Sequence, residues 1–348
     1  MTNLGVYLAV SAWSEWNGSA IPPDCWQEYP RLIQRGVTQA TYILWPDNAF
    51  QDRDLERLHN DAGASGNGFD TLVLRLGTPK GTHPGAPADF IAKHKPKIMH
   101  AKAQGYRKLY VLRFNEPNGE LVIENPDGTF GLVMTPAQYD VWDTEVVRLW
   151  KADPDLADLP LIGPPIGGYN DIPNHPGSSW LWWDSCIRAA NARSDVGGVN
   201  LYPATLVQIG AGMKPTDANV PAYSLPWWQG QMPAKPLFVC ELGCRTGTPP
   251  VTRDTLLLTL FRQIKNCPDV IGSAWFVQWT KGQEHREHWW TGSQIDDFLA
   301  VIAEAPETKP PVIVPPTPPP TIAGDYRFTL TMPDGTQQVY GLKVEKVS

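Results

Sequence analysis

Eight apolar, strand-like runs alternating with helix-like segments predict an α/β chain folded as a (β/α)8 TIM barrel. Two further observations point to the same class. The runs are continuously apolar rather than alternating, as strands buried on both faces of a parallel sheet are. The alternation also persists, at spacings of roughly 30 to 50 residues, as far as residue 305, which is room for eight βα units.

The first strand is Leu4 to Val10. A helix follows at about Pro22–Arg35, with two prolines at its start and Gly36 as its stop. Val37 to Trp45 is the second strand, and Asp52 to Asn60 a short helix. The third strand, Thr71 to Leu76, precedes a helix at about Pro87–Gln104 that Gly105 ends. The fourth strand is Lys108 to Phe114. Leu121-Val122-Ile123, a Pro126-Asp127-Gly128 turn and Phe130 to Val133 read as a β-hairpin inserted after it. Thr135-Pro136-Ala137-Gln138 reads as a capping box opening a helix that runs to about Lys151. Leu159 to Gly163 is the fifth strand, followed by a helix at about Ser178–Ala192. Val196 to Tyr202 is the sixth, followed by a long irregular segment holding Trp227 and Trp228. Leu237 to Glu241 is the seventh, with a helix at about Thr252–Lys265. Val270 to Gln278 is the eighth, with a last helix at about Ser293–Ala303.

These elements define a barrel domain over residues 1–305. Residues 306–322 are dominated by proline and form an extended linker. Residues 323–348 carry a second hairpin pattern, Tyr326 to Met332 and Val339 to Val344 around Pro333-Asp334-Gly335. So short a tail buries no core alone, so it is expected to mediate self-association or attachment to another surface.

The formal net charge of −7 and the lack of a basic stripe exclude nucleic acid as a partner. No apolar run reaches the length of a membrane span, so no membrane partner is expected. The N-terminus lacks a basic n-region, so no signal peptide is expected, and the localisation stays open. The five cysteines are scattered and odd in number, which argues against a disulfide framework. The 15 tryptophans exceed what a core of this size needs. They serve either core packing or stacking on apolar ligand faces, as sugars offer.

Two stretches carry the chemistry. In Val111-Leu112-Arg113-Phe114-Asn115-Glu116-Pro117-Asn118, an apolar strand delivers a carboxylate beside an amide, and proline stops the ladder. Pro236-Leu237-Phe238-Val239-Cys240-Glu241-Leu242-Gly243 repeats the arrangement on the seventh strand. In a barrel, both strand ends face one mouth, so Glu116 and Glu241 converge as a carboxylate pair of the kind glycoside hydrolysis uses.

Asn115-Glu116-Pro117 on a fourth strand and Glu241-Leu242-Gly243 on a seventh resemble the clan A glycoside hydrolases, the superfamily of retaining (β/α)8 glycosidases. The resemblance spans roughly residues 1–305. It implies a glycosidase that cleaves O-glycosidic bonds of a poly- or oligosaccharide by double displacement, without metal or cofactor. Glu116 would be the acid/base, Glu241 the nucleophile, and Asn115 the ligand of the sugar 2-hydroxyl. Gly198-Val199-Asn200-Leu201-Tyr202-Pro203 resembles the clan's sixth-strand end, which implicates Tyr202 as a partner of the nucleophile. Ser273-Ala274-Trp275-Phe276-Val277-Gln278-Trp279 resembles the segment supplying a tryptophan platform, with Trp279 preferred to Trp275. Arg75 is the candidate for the clan's arginine near the nucleophile. It falls on the third strand where the clan uses the second, and a core arginine is the other reading.

Trp13, Trp16 and Trp45 are candidates for lining subsites, and Glu15 is a further candidate cleft carboxylate. His285 and His288, with Glu284 and Glu287, match no established zinc spacing, and read as a polar loop at the mouth. The alternative function is a non-catalytic carbohydrate-binding or virion/surface structural barrel. Such a barrel would not need both carboxylates.

Overall fold

The runs read as buried strands are rich in Val, Leu, Ile and Tyr, and they assemble into one parallel sheet. The computed structural model describes residues 3–8, 23–46, 51–60, 68–167, 175–177, 179–202, 225–243, 250–275, 292–304, 324–331 and 337–344. The chain divides into two units, residues 1–310 and 311–348.

In the first unit the sheet contains β1 (Asn3–Leu8), β2 (Gln39–Leu44), β3 (Thr71–Leu76), β4 (Lys108–Leu112), β7 (Leu161–Ile162), β8 (Gly197–Leu201), β9 (Leu237–Leu242) and β10 (Val270–Trp275). Their order is β7-β4-β3-β2-β1-β10-β9-β8, so the first and last strands in the chain are neighbours. The two end strands are consecutive in sequence. They meet at a parallel bridge, Ile162 to Val196, with the Gly163 N–H donating to the Val196 carbonyl at 2.8 Å. The inserted hairpin, β5 (Val122–Glu124) and β6 (Phe130–Leu132), is antiparallel.

The helices are α1 (Pro23–Gln34), α2 (Gln51–Asn60), α3 (Pro87–Ala103), α4 (Pro117–Glu120), α5 (Pro136–Ala152), α6 (Ser179–Trp182), α7 (Arg188–Arg193), α8 (Leu225–Gln231), α9 (Pro250–Lys265) and α10 (Gly292–Ala303). A π-helical turn, Trp183–Ile187, joins α6 to α7. The capping box of α5 forms, with Thr135 Oγ1 accepting from Gln138 N and Gln138 Oε1 accepting from Thr135 N. Among the described residues no helix is long and apolar enough to cross a membrane.

Among the described residues, two apolar clusters cover the faces of the sheet. The larger joins strand residues such as Leu74, Val111 and Val239 to helix residues such as Phe90, Val146 and Leu260. The smaller, Val73, Leu112, Ile162, Val196, Phe238 and Cys240, draws on strands and the residue before β8, with no helix residue. The described tryptophan side chains belong to packing: Trp45, Trp142, Trp150, Trp182, Trp183 and Trp228 are buried. Cys186, Cys240 and Cys267 are buried free thiols.

Several elements differ from the sequence expectation. β4 ends at Leu112 rather than Phe114, because Arg113 leaves the ladder. Its guanidinium is fully buried and bonds Asp143 through Nε (2.5 Å) and Nη2 (3.1 Å), the Ala190 carbonyl through Nη2 (2.9 Å), and the Ile162 carbonyl and Ser194 Oγ through Nη1. All five donors are thereby used, and the end of β4 is tied to α5, β7 and α7. α4 and α8 are short helices in segments expected to be loops.

In the second unit, β11 (Gly324–Thr331) and β12 (Gln337–Val344) form an antiparallel pair, with Phe328 opposite Tyr340.

Candidate active site

The stretch after β4 makes a tight turn whose residues face different ways. Proline at 117 disfavours the right-handed helical region for Glu116, which sits instead in the left-handed region with φ 37° and ψ 59°. Such a backbone costs a non-glycine residue about 1–2 kcal/mol and is concentrated at functional sites. The Glu116 carbonyl then accepts from the N–H groups of Gly119 and Glu120, both at 2.8 Å, which closes α4. Asn118, fully buried, clamps two further segments. Its Nδ2 donates to the carbonyls of Gly167 (2.9 Å) and Gly177 (3.1 Å), and its Oδ1 accepts from Gly167 N (2.9 Å). One turn thus presents Asn115 and Glu116 to the site and anchors the loop after β7.

Glu241 reaches the same place through a bulge. On β9, Val239 pairs with Val199 and Ser273, but the next pairs are Glu241 with Asn200 and Leu242 with Trp275. An extra residue is therefore inserted between Val239 and Leu242. Phe238 and Cys240 lie in the smaller cluster, whereas Val239 and Leu242 lie in the cluster shared with the helices. Strict alternation would send Glu241 to the helix side with Val239. The bulge resets the phase and leaves Glu241 beside the smaller cluster.

The two glutamates are linked by one amide. Asn200 Nδ2, from β8, lies 2.6 Å from Glu116 Oε1 and 3.4 Å from Glu241 Oε2, so these oxygens are at most about 6 Å apart. Glu241, only 6% exposed, accepts from three more donors: Arg75 Nη1 (3.2 Å) and Asn115 Nδ2 (3.2 Å) on Oε1, and the Tyr202 hydroxyl (2.8 Å) on Oε2. Arg75 Nη2 also pairs with Glu120, to which Asn115 Nδ2 lies at 3.5 Å.

Two carboxyls, Glu241 and Glu120, therefore share one guanidinium. Burial, and then the charge of Glu116, push the Glu241 carboxyl up to about 8, against the pull of Arg75 and the Tyr202 hydroxyl. Burial pushes Glu120 up to about 7, with Arg75 acting the other way.

The structure thus brings together Arg75, Asn115, Glu116, Tyr202 and Glu241. Arg75 lies on β3, the third strand of the sheet, and contacts Glu241 from there. Trp275 ends β10, with its side chain outside the described residues. Trp279, Trp13, Trp16, Glu15, His285 and His288 also lie outside them. Trp45 is buried with its ring against Gly77, where a Cβ would approach Trp45 Cδ2 to 2.7 Å, so it packs rather than lines an open cleft. Sequence reasoning missed Asn200 and Glu120. Asn200 stands two residues before Tyr202 in a stretch already singled out, and Glu120 stands one helical turn after Glu116.

No protein-family model matches the sequence. No curated protein matches it either. Solved structures do. A GH5_18 enzyme from Streptomyces cattleya, in complex with Manb1-4GlcNAc, aligns with a TM-score of 0.51 at 13% identity, over 89% of this chain and 83% of that one. A GH128 (subgroup II) endo-beta-1,3-glucanase from Pseudomonas viridiflava aligns at 0.49 and 16%, over 86% and 97%. A GH128 (subgroup I) endo-beta-1,3-glucanase from Amycolatopsis mediterranei, in complex with laminaritriose, aligns at 0.43 and 14%, over 86% and 100%. The first of these alignments shows that the chain shares its fold with a glycoside hydrolase.

Proposed function

We propose that this protein is a retaining glycoside hydrolase whose sheet closes as a (β/α)8 barrel and whose substrate is an O-linked poly- or oligosaccharide. Closure is supported by the bridge between Ile162 and Val196 and by the smaller apolar cluster, which lacks any helix residue. The observation that carries the mechanism is the Asn200 amide spanning Glu116 and Glu241. It limits the nearest oxygens to about 6 Å, close to the 5–5.5 Å spacing of retaining pairs and short of the roughly 6.5–9.5 Å that an interposed water requires.

Glu241 is the nucleophile. Both its oxygens accept from N–H or O–H donors, which hold them in place for attack. A Glu241 oxygen attacks the anomeric carbon, and the glycosidic C–O bond breaks as Glu116 gives its proton to the leaving oxygen. Glu116, now ionised, takes a proton from water. The resulting hydroxide attacks the same carbon and expels Glu241, with net retention. Asn115, beside the nucleophile, holds the sugar 2-hydroxyl. Trp275 and Trp279 supply the sugar platform. Linker 306–322 and tail 323–348 serve attachment or self-association, since two strands bury no core of their own.

A panel of polysaccharides and aryl β-glycosides tests the activity. Turnover is expected, with kcat/KM falling below about pH 8, where the Glu241 carboxyl takes up a proton and is no longer a nucleophile. Glycan binding without turnover of any glycoside would replace this reading with a non-catalytic carbohydrate-binding barrel.

A further inference from the structure

Glu120 is a third carboxylate at the site, and the two-step mechanism does not use it. It closes α4, one turn after Glu116, and its N–H donates to the Glu116 carbonyl at 2.8 Å. Its Oε1 takes Arg75 Nη2 and lies 3.5 Å from Asn115 Nδ2. Glu241 Oε1 takes Arg75 Nη1 and the same Asn115 Nδ2, both at 3.2 Å. Two carboxylate oxygens thus draw on the same two donors. Among the described residues, the charged groups facing Glu120 are Arg75 from β3, Glu116 from the turn after β4 and Glu241 from β9. The Glu120 side chain is 16% exposed and that of Arg75 14%, so solvent screens this network poorly.

We propose, resting on the glycosidase reading, that Glu120 is a positioning residue: it shares Arg75 and Asn115 with Glu241 and so limits how tightly they hold the nucleophile. A buried guanidinium facing a single carboxylate binds it strongly, which lowers both its basicity and its reactivity. With Glu120 engaging the other nitrogen of Arg75, Glu241 stays basic. The turn that sets Glu116 in its left-handed conformation also places Glu120 on Arg75. The proton donor and the arginine clamp are therefore positioned by one short segment.

Glu120→Gln removes the charge and keeps the shape. The expected result is that the acidic limb of kcat/KM, set by ionisation of Glu241, moves down by about one pH unit, as loss of a nearby like charge predicts. At the plateau, kcat on an aryl glycoside falls about tenfold with KM nearly unchanged, because the nucleophile is less basic. A purely structural role would lower Tm or kcat and leave the limb in place. A 13C NMR titration of glutamate-labelled protein, with Glu241 assigned through Glu241→Gln, reads the same downward shift without turnover. The two readings therefore fail separately. If the parent protein turns over no glycoside, the glycosidase reading fails, while the NMR shift in Glu120→Gln still supports the shared clamp. If neither the limb nor the Glu241 resonance moves, the inference about Glu120 is overturned. Should Glu120→Gln not fold, Glu120→Ala carries the same comparison with the same outcomes.

Discussion

Glu241→Gln is expected to lower kcat on aryl β-glycosides by roughly ten-thousand- to million-fold, measured as initial rates of phenol release. The amide is nearly isosteric with the carboxylate but is not a nucleophile towards an anomeric carbon. The environment adds to the loss. Arg75 and Asn115 donate to one Glu241 oxygen, and Asn200 and Tyr202 to the other. Whichever oxygen becomes NH2, two donors lose their acceptor, each at a cost of about 1–3 kcal/mol if left unpaired. The variant should therefore also show a lower Tm than the parent.

Glu116→Gln should behave differently, and the contrast separates the two roles. Removing the proton donor costs about a hundred- to ten-thousand-fold when the leaving oxygen is basic, and much less when the leaving group departs without protonation. Across a series of aryl glycosides, log kcat/KM should depend more steeply on leaving-group pKa in this variant than in the parent. With the best leaving groups, glycosyl transfer to Glu241 outruns hydrolysis, because Glu116 is also the base for water. A burst of phenol followed by a slow steady state is expected. If both variants hydrolyse every glycoside at the parental rate, neither glutamate has the role assigned to it.

Much of this architecture is legible in the residues. A strand buried on both faces is largely apolar, and Thr71 to Leu76 and Leu237 to Leu242 show this whether or not their neighbours are known. The capping box at Thr135 and the turn at Pro126-Asp127-Gly128 are local chemistry and are equally readable. What escapes is set between segments distant in the chain. The bulge in β9 depends on register with β8 and β10, and nothing in Val239-Cys240-Glu241 announces it. The left-handed backbone of Glu116 sits at a residue type that rarely adopts it. Glu120 reads as an ordinary acidic residue until Arg75, 45 positions earlier, is placed beside it. Asn200 has the same difficulty, since its significance lies in two carboxylates 84 and 41 residues away.

The central claim is that Glu116 and Glu241 act as a retaining pair, and the stereochemistry of the first-formed product tests it most directly. Hydrolysis of a β-glycoside substrate, followed by 1H NMR within the first turnovers and before mutarotation, should show the β-anomer of the released sugar. Initial release of the α-anomer would mean a single displacement by water, and would contradict both the covalent role of Glu241 and the close spacing that Asn200 imposes on the pair.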